Sequence, residues 1–284
     1  VSQHIQELET HFDMPLFVRR GRILSLTDAG LALLPLAHEM VRLSIRIDEK
    51  MESLKGDVYG HLMVGCTTTP GRYILPGLLA EFLNRHPKVE ATCHVSSRQR
   101  AVELLCEGKL HVALAGARDF DREIEYCRFM SEPIWLIVPT DHPWARVGAI
   151  QARDLTEASF IMREEGSGTR ETLAEGLDKV GMSLDQLKTV LTLGSSEAIA
   201  LSVQQGIGVG FVSKTVVERL VPDGVTVVQV IDLPLAQDIF IGRQPRRPAT
   251  TAQAAFWEFV TSSSEEAIHT IGNGVFTTAD PVRY

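Results

Sequence analysis

The chain has 284 residues, 44% of them hydrophobic and 23% charged, and a formal net charge of −8. That composition supports a packed core of useful size. No stretch approaches the roughly 18 to 20 uncharged apolar residues of a helical membrane span. The acidic balance excludes a chain that is basic throughout and coats nucleic acid, but it allows a small basic reading module joined to an acidic domain. The start does not have the form of a signal peptide, so a cytoplasmic protein is expected.

The apolar spacing Val1, Ile5, Leu8 is already helical at the first residue, so residues 1–10 read as a helix whose pattern is expected to begin further upstream. After a break at His11–Pro15, Leu16-Phe17 and Ile23–Leu26 read as two short extended arms around a turn at Arg20-Gly21, a small wing with a basic tip. Thr27 is a good N-cap, with Asp28 in the first turn. A helical pattern then runs to about Leu54, with Leu31, Leu34, Ala37, Val41, Ile45 and Met51 on one face and Pro35 as a possible kink. About 27 residues of helix span some 40 Å. So long an amphipathic helix suggests a dimerisation arm.

After Gly60 the texture becomes alternating strands and helices of about 10–15 residues, the pattern of parallel sheets. Two similar series occur, at about 60–117 and 159–230, each running strand, helix, strand, helix, strand. They point to an α/β fold of two lobes. The segment around 118–140 is expected to cross to the second lobe. The segment around 233–245 is expected to cross back, so that the last helix packs on the first. Residues 263–284 read as a loosely ordered tail.

Ligands in such folds bind at the carboxyl ends of strands, where helix N-termini point into the crevice. Two loops stand out there. In GCTTTPGRYILP, the hydroxyls of Thr67, Thr68 and Thr69 lie between a strand end and a helix start. In REEGSGTRETL, Ser167 and Thr169 offer hydroxyls at the equivalent point of the second lobe, and Gly166 and Gly168 allow a close approach of backbone to ligand. Ser97 and Ser195, in the loops after the next strand of each lobe, complete the circle. N-capping alone is the competing reading for the three threonines. The second loop lacks the spacing of a P-loop.

Signals for catalysis are missing: there is no G-x-S-x-G elbow and no HExxH, and the histidines are scattered. The four cysteines, Cys66, Cys93, Cys106 and Cys127, form no CxxC pair and have no zinc spacing, so they read as buried thiols. No cofactor or metal is expected.

The segment VSQHIQELETHFDMPLFVRRGRILSLTDAG resembles the LysR-type transcriptional regulators. The matching features are the SQHI-x-x-LE helix, the PLF after it, the RxxR of Arg19 and Arg22, and the LT-x-AG that opens the long helix. The resemblance implies a partial winged helix-turn-helix at 1–27, with helices one and two of the family absent before it, and a linker helix at 28–55. It also implies a periplasmic-binding-protein-like effector domain at 60–262, with lobe I at 60–132 and 234–262 and lobe II at 133–233. By the same resemblance, Ser2, Gln3 and His4 face the major groove of double-stranded DNA, and Arg19 and Arg22 touch backbone or minor groove. The Thr67–Thr69 loop lines the effector pocket. The expected partners are DNA, a small polar or anionic effector, and further copies of the chain in a homodimer or homotetramer. The Thr loop and the EGSGTR run further resemble regulators of sulfur or carbon assimilation. A solute-binding protein of transport shares the two-lobed fold but has no wing or long helix. An enzyme on a similar fold needs a base or a cofactor lysine that the pocket loops lack.

Overall fold

The computed structural model describes residues 2–21, 23–54, 57–116 and 123–262. Val1, Arg22 and the tail from residue 263 lie outside them. The chain divides into two compact units, Val1–Tyr59 and Gly60–Tyr284.

In the first unit, helix α1 (Ser2–Phe12) is followed by the two-stranded wing, β1 (Phe17–Arg20) and β2 (Ile23–Leu26), and then by helix α2 (Asp28–Ser53). The wing is antiparallel, with Phe17 opposite Leu26 and Arg20 opposite Ile23. Leu16 is buried at its centre, and hydrogen bonds fix the elements around it. The Glu9 carboxylate accepts the N–H groups of Leu16, at 2.6 Å, and Phe17, at 3.1 Å, tying α1 to the wing. Thr27 caps α2, accepting the Gly30 N–H at 3.1 Å while its own hydroxyl donates to the Pro15 carbonyl at 2.6 Å. Gly30 is required there, because a Cβ would sit 2.2 Å from the Leu16 carbonyl oxygen. Pro35 lies inside α2, early enough that the helix continues beyond it. Within the unit, Leu31, Leu34, Met40, Val41, Ile45 and Met51 of α2 are all exposed.

The second unit is built from two copies of one plan. In lobe I, β3 (Gly60–Cys66), α3 (Leu75–Arg85), β4 (Val89–Val95), α4 (Arg98–Cys106) and β5 (Val112–Ala115) form a parallel sheet with β3 between the other two strands. Then comes β6 (Glu125–Val138), a 14-residue strand that carries the chain into the other lobe. Helix α5 (Pro143–Val147) and the two-residue β7 (Ala149–Ile150) follow, and neither is evident in the sequence pattern. Lobe II repeats the plan with β8 (Ser159–Arg163), α6 (Gly168–Lys179), β9 (Lys188–Leu193), α7 (Ser196–Gln204) and β10 (Gly210–Ser213). Here β8 pairs with β9 in parallel and bridges through Phe160 to Val209, which leads into β10. Helix α8 (Lys214–Leu220) and β11 (Thr226–Val230) precede β12 (Leu235–Arg243), which returns to lobe I, and α9 (Thr251–Ser262) ends the described chain.

Strands β6 and β12 run antiparallel along their whole shared length, with a register shift between Ile239 and Phe240. In lobe I, β12 pairs with β5; in lobe II, β6 pairs with β10. Each lobe therefore joins its third parallel strand to one crossover strand. Helix α9 packs on lobe I, where Phe82 of α3 meets Phe256 edge-on at 5.0 Å and Phe259 at 5.6 Å. Lobe II has apolar clusters on both faces of its sheet, one around Phe160, Leu173 and Leu177 and one around Ile199, Val203 and Val216.

Two expectations need correction. The three threonines do not all precede the helix after β3: it begins at Thr68 and passes through a π-helical turn, Pro70–Ile74, so only Thr67 lies before it. The thiols are not uniformly buried either. Cys66 is buried, Cys93 is exposed, and Cys106 and Cys127 are intermediate. Cys93 lies on β4, the edge of the sheet, where one side of the strand has no neighbour to cover it.

Candidate functional site

A cavity of about 530 Å³ opens between the lobes. The ends of all six parallel strands reach it: Thr67 after β3, Val95 and Ser97 around the end of β4, Gly116 after β5, Arg163 at the end of β8, Gly194 after β9 and Ser213 at the end of β10. Glu132 of β6 and Gln237 and Ile239 of β12 also line it, from the crossover strands. The arrangement follows from parallel topology, which places every βα loop of a lobe at the same edge of its sheet.

Of the residues expected at the effector site, Thr67, Thr68, Thr69, Ser97, Ser167 and Thr169 all line this one cavity. Ser195 does not; its hydroxyl caps α7 by accepting the Ala198 N–H at 3.1 Å, and Gly194 faces the cavity instead. Ser97 caps α4 through Arg100 N–H at 3.3 Å while still lining the cavity. Ser167 stands at the N-cap position of α6, but its hydroxyl makes no capping bond. The residue is 6% exposed and its Oγ has no hydrogen-bond partner, so a buried donor is held ready at a helix N-terminus. Gly166 takes a left-handed φ of 76°. Gly168 serves a purpose other than ligand approach: a Cβ there would lie 1.9 Å from the Gln237 amide nitrogen and 2.8 Å from the Gly116 carbonyl oxygen. The Gln237 amide donates to that carbonyl, so Gln237 of β12 is held on Gly116 of lobe I and packs against Gly168 of lobe II.

Both arginines of the cleft are held by carboxylates. Arg98, at the start of α4 in lobe I, grips Glu171 of α6 in lobe II with two bonds of 2.6 and 3.0 Å. Arg163 holds Glu164 with bonds of 2.7 and 2.8 Å and donates to Ser196 Oγ at 2.9 Å. That grip holds the Glu164 carboxyl below the usual carboxylate range. Glu132 is 3% exposed and accepts the Thr215 N–H at 2.8 Å; burial pushes its carboxyl above the ordinary value. A second ion pair between the lobes joins Arg72 of the π-helical turn to the buried Glu197 of α7 at 3.3 Å.

Sequence reasoning missed Glu132, Gln237 and the Arg98–Glu171 pair. Each depends on contacts across 70 or more positions of chain, as Arg98 and Glu171 show with a separation of 73. A larger cavity, about 720 Å³, lies along the side of α6 and is lined by Lys179, Asp232 and Arg128 among others. None of the six hydroxyl residues lines it; apart from Gly168 at the start of α6, its α6 lining is the flank of the helix, so the smaller cavity is the better-equipped site.

The DNA-facing candidates sit in the first unit. Gln3 and His4 are exposed on α1, with Gln3 donating to Glu7 at 3.3 Å, and Arg19 is exposed on β1. Ser2 lies at the start of α1. Arg22 lies outside the described residues. Among those residues no helix is long and apolar enough to cross a membrane, and no group of His, Cys, Asp and Glu could hold a metal ion.

Residues 55–265 match the model of the LysR substrate binding domain, and residues 1–31 that of the bacterial regulatory helix-turn-helix protein, lysR family. The chain belongs to the LysR-type transcriptional regulators. It is a regulator and not an enzyme. An HTH-type transcriptional regulator of Methanocaldococcus jannaschii is 32% identical over 92% of this chain and 88% of that one. The HTH-type transcriptional regulator CbbR of Rhizobium meliloti is 32% identical over 93% of this chain and 83% of its own length. Among solved structures, the effector binding domain of QuiR in complex with shikimate superposes with a TM-score of 0.67 at 18% identity, covering 73% of this chain and 98% of that one. The match of residues 1–31 to a DNA-reading family sets the LysR-type chain apart from transport proteins of similar fold.

Proposed function

We propose that this regulator is controlled by a small polar or anionic effector held in the cavity between its two α/β lobes. The observation that carries this reading is convergence. Six strand ends and the N-terminus of α6 meet at one cavity, with Thr67, Thr68, Thr69, Ser97, Ser167 and Thr169 supplying hydroxyls. Backbone N–H groups and a helix dipole favour negative charge at such a point. The shikimate complex of a protein of the same fold agrees with a carboxylate-bearing ligand.

An effector changes DNA binding only if it prefers one arrangement of lobes or subunits over another. The contacts it has to bias are those that span the lobes, the Arg98–Glu171 and Arg72–Glu197 pairs and the packing of Gln237 against Gly168. The exposed apolar face of α2 supplies a subunit interface, making the regulator a homodimer or homotetramer. Ser2, Gln3 and His4 approach the major groove, and Arg19 and Arg22 the phosphates.

The test is a thermal-shift screen of small carboxylic acids against the full chain and a Thr67→Ala/Thr169→Ala variant. The expected result is a ligand-dependent rise in melting temperature that the double variant loses. An unchanged rise removes the site assignment.

A further inference from the structure

The cleft holds a buried carboxylate that both of its arginines leave to other groups. Glu132 is on β6, is 3% exposed and lines the cavity. The Thr215 N–H donates to it at 2.8 Å, with the Thr215 hydroxyl also beside it, yet a carboxylate can accept several bonds. Its ladder neighbour on β12, Gln237, is committed to the Gly116 carbonyl. The nearby cation Lys214 is paired with Glu218 at 3.6 Å. The two arginines of the cavity are committed as well, Arg98 to Glu171 and Arg163 to Glu164. A buried carboxylate gains from every further donor, and Glu132 lines the cavity where a ligand can supply one.

We propose that Glu132 determines specificity in the cleft: its carboxylate accepts a hydrogen bond from a hydroxyl or ammonium group of the effector, which is therefore a small acid that also carries such a donor. This rests on the cleft being the effector site. The acid end lies at the Thr67–Thr69 and Ser167–Thr169 loops, and the donor end lies on the crossover strand. A plain anion such as sulfate satisfies the loops but offers Glu132 nothing, and its charge repels the carboxylate. Because β6 passes through both lobes, a ligand bonded to Glu132 and to either loop fixes that lobe against the crossover.

The experiment is calorimetric titration of the full chain with probes in matched sets: shikimate against benzoate, and glycerate and serine against propionate, with sulfate as the plain anion. Glu132→Gln keeps the side-chain volume and an oxygen for the Thr215 N–H, so its melting temperature without probe stays near that of the parent. The donor-bearing member of a set binds more tightly than its plain partner. Its Kd rises about tenfold to a hundredfold in Glu132→Gln, the range of a hydrogen bond to a charged group. Serine against glycerate separates ammonium from hydroxyl. If the donor-bearing probe binds Glu132→Gln as tightly as the parent but is lost in Thr67→Ala/Thr169→Ala, the role of Glu132 is overturned and the cleft reading stands. If neither variant weakens it, both fall. Tighter binding of benzoate, propionate or sulfate than of their donor-bearing counterparts also overturns the proposal.

Discussion

The two lobes share one plan and differ most at the same point, the loop after the first strand. In lobe I that loop is almost absent. Helix begins at Thr68, directly after β3, and three uncharged threonines face the cavity. In lobe II the loop from Glu164 to Ser167 separates β8 from α6, and it carries two carboxylates, of which Glu164 is held by Arg163. One lobe thus presents hydroxyls on a helix start. The other presents a buried, unpartnered serine framed by fixed ion pairs. The difference teaches that equal topology fixes where a ligand binds, while loop chemistry fixes which end of it each lobe receives.

If the lobes are equivalent as packed bodies, their central aromatics should matter equally. Phe82 in lobe I and Phe160 in lobe II are both fully buried. Each Phe→Ala change should cost about 3–5 kcal/mol in denaturant unfolding. A cheap substitution in one lobe breaks the equivalence.

Two buried groups, one in lobe I and one on the crossover strand β6, should respond to pH in opposite senses. In lobe I, burial and the nearby His61 hold the His111 ring at about 4, below its ordinary 6.5. Its Nδ1 accepts the Met63 N–H at 3.2 Å, which keeps that nitrogen unprotonated. The unfolded chain takes up this proton first, so stability is full above about pH 6.5 and falls as pH drops towards 4. The loss is at most about 3 kcal/mol. Glu132 is raised, so its contribution is full below the ordinary carboxylate range and declines as pH rises through its folded value. Unfolding free energy measured from pH 4 to 8 checks both, with His111→Gln flattening the acid side.

Gly168→Ala tests the bridge between the lobes. It should cost about 1–3 kcal/mol by overpacking against Gln237, and less in a Gln237→Ala background. The smallest effect belongs to the Arg98–Glu171 pair, which is partly exposed on both sides. Glu171→Gln should change stability by less than about 1 kcal/mol, while altering effector affinity through the lobe arrangement it biases.

Much of this molecule was legible in the sequence, for local reasons. Thr27 as a cap, the wing turn at Gly21 and the doubled strand–helix alternation all follow from residues close in sequence. The threonine, Ser97 and Ser167/Thr169 loops were findable because parallel topology places them together. What stayed hidden depends on distant partners. A glutamate inside an extended run reads as solvent-facing, yet Glu132 is buried by the start of α8, 83 positions away. Gly168 read as room for a ligand, but the room is taken by Gln237. Ser195 read as a ligand hydroxyl, but capping α7 uses it. Helix α5 and β7 are too short to show a period.

Amide hydrogen exchange with and without an acid that raises the melting temperature tests the cleft most directly. The account predicts added protection at Thr67–Thr69 of lobe I and at 166–169 of lobe II in the same experiment. Protection confined to the flank of α6 around Lys179 and to Asp232, with both loops unchanged, would contradict it.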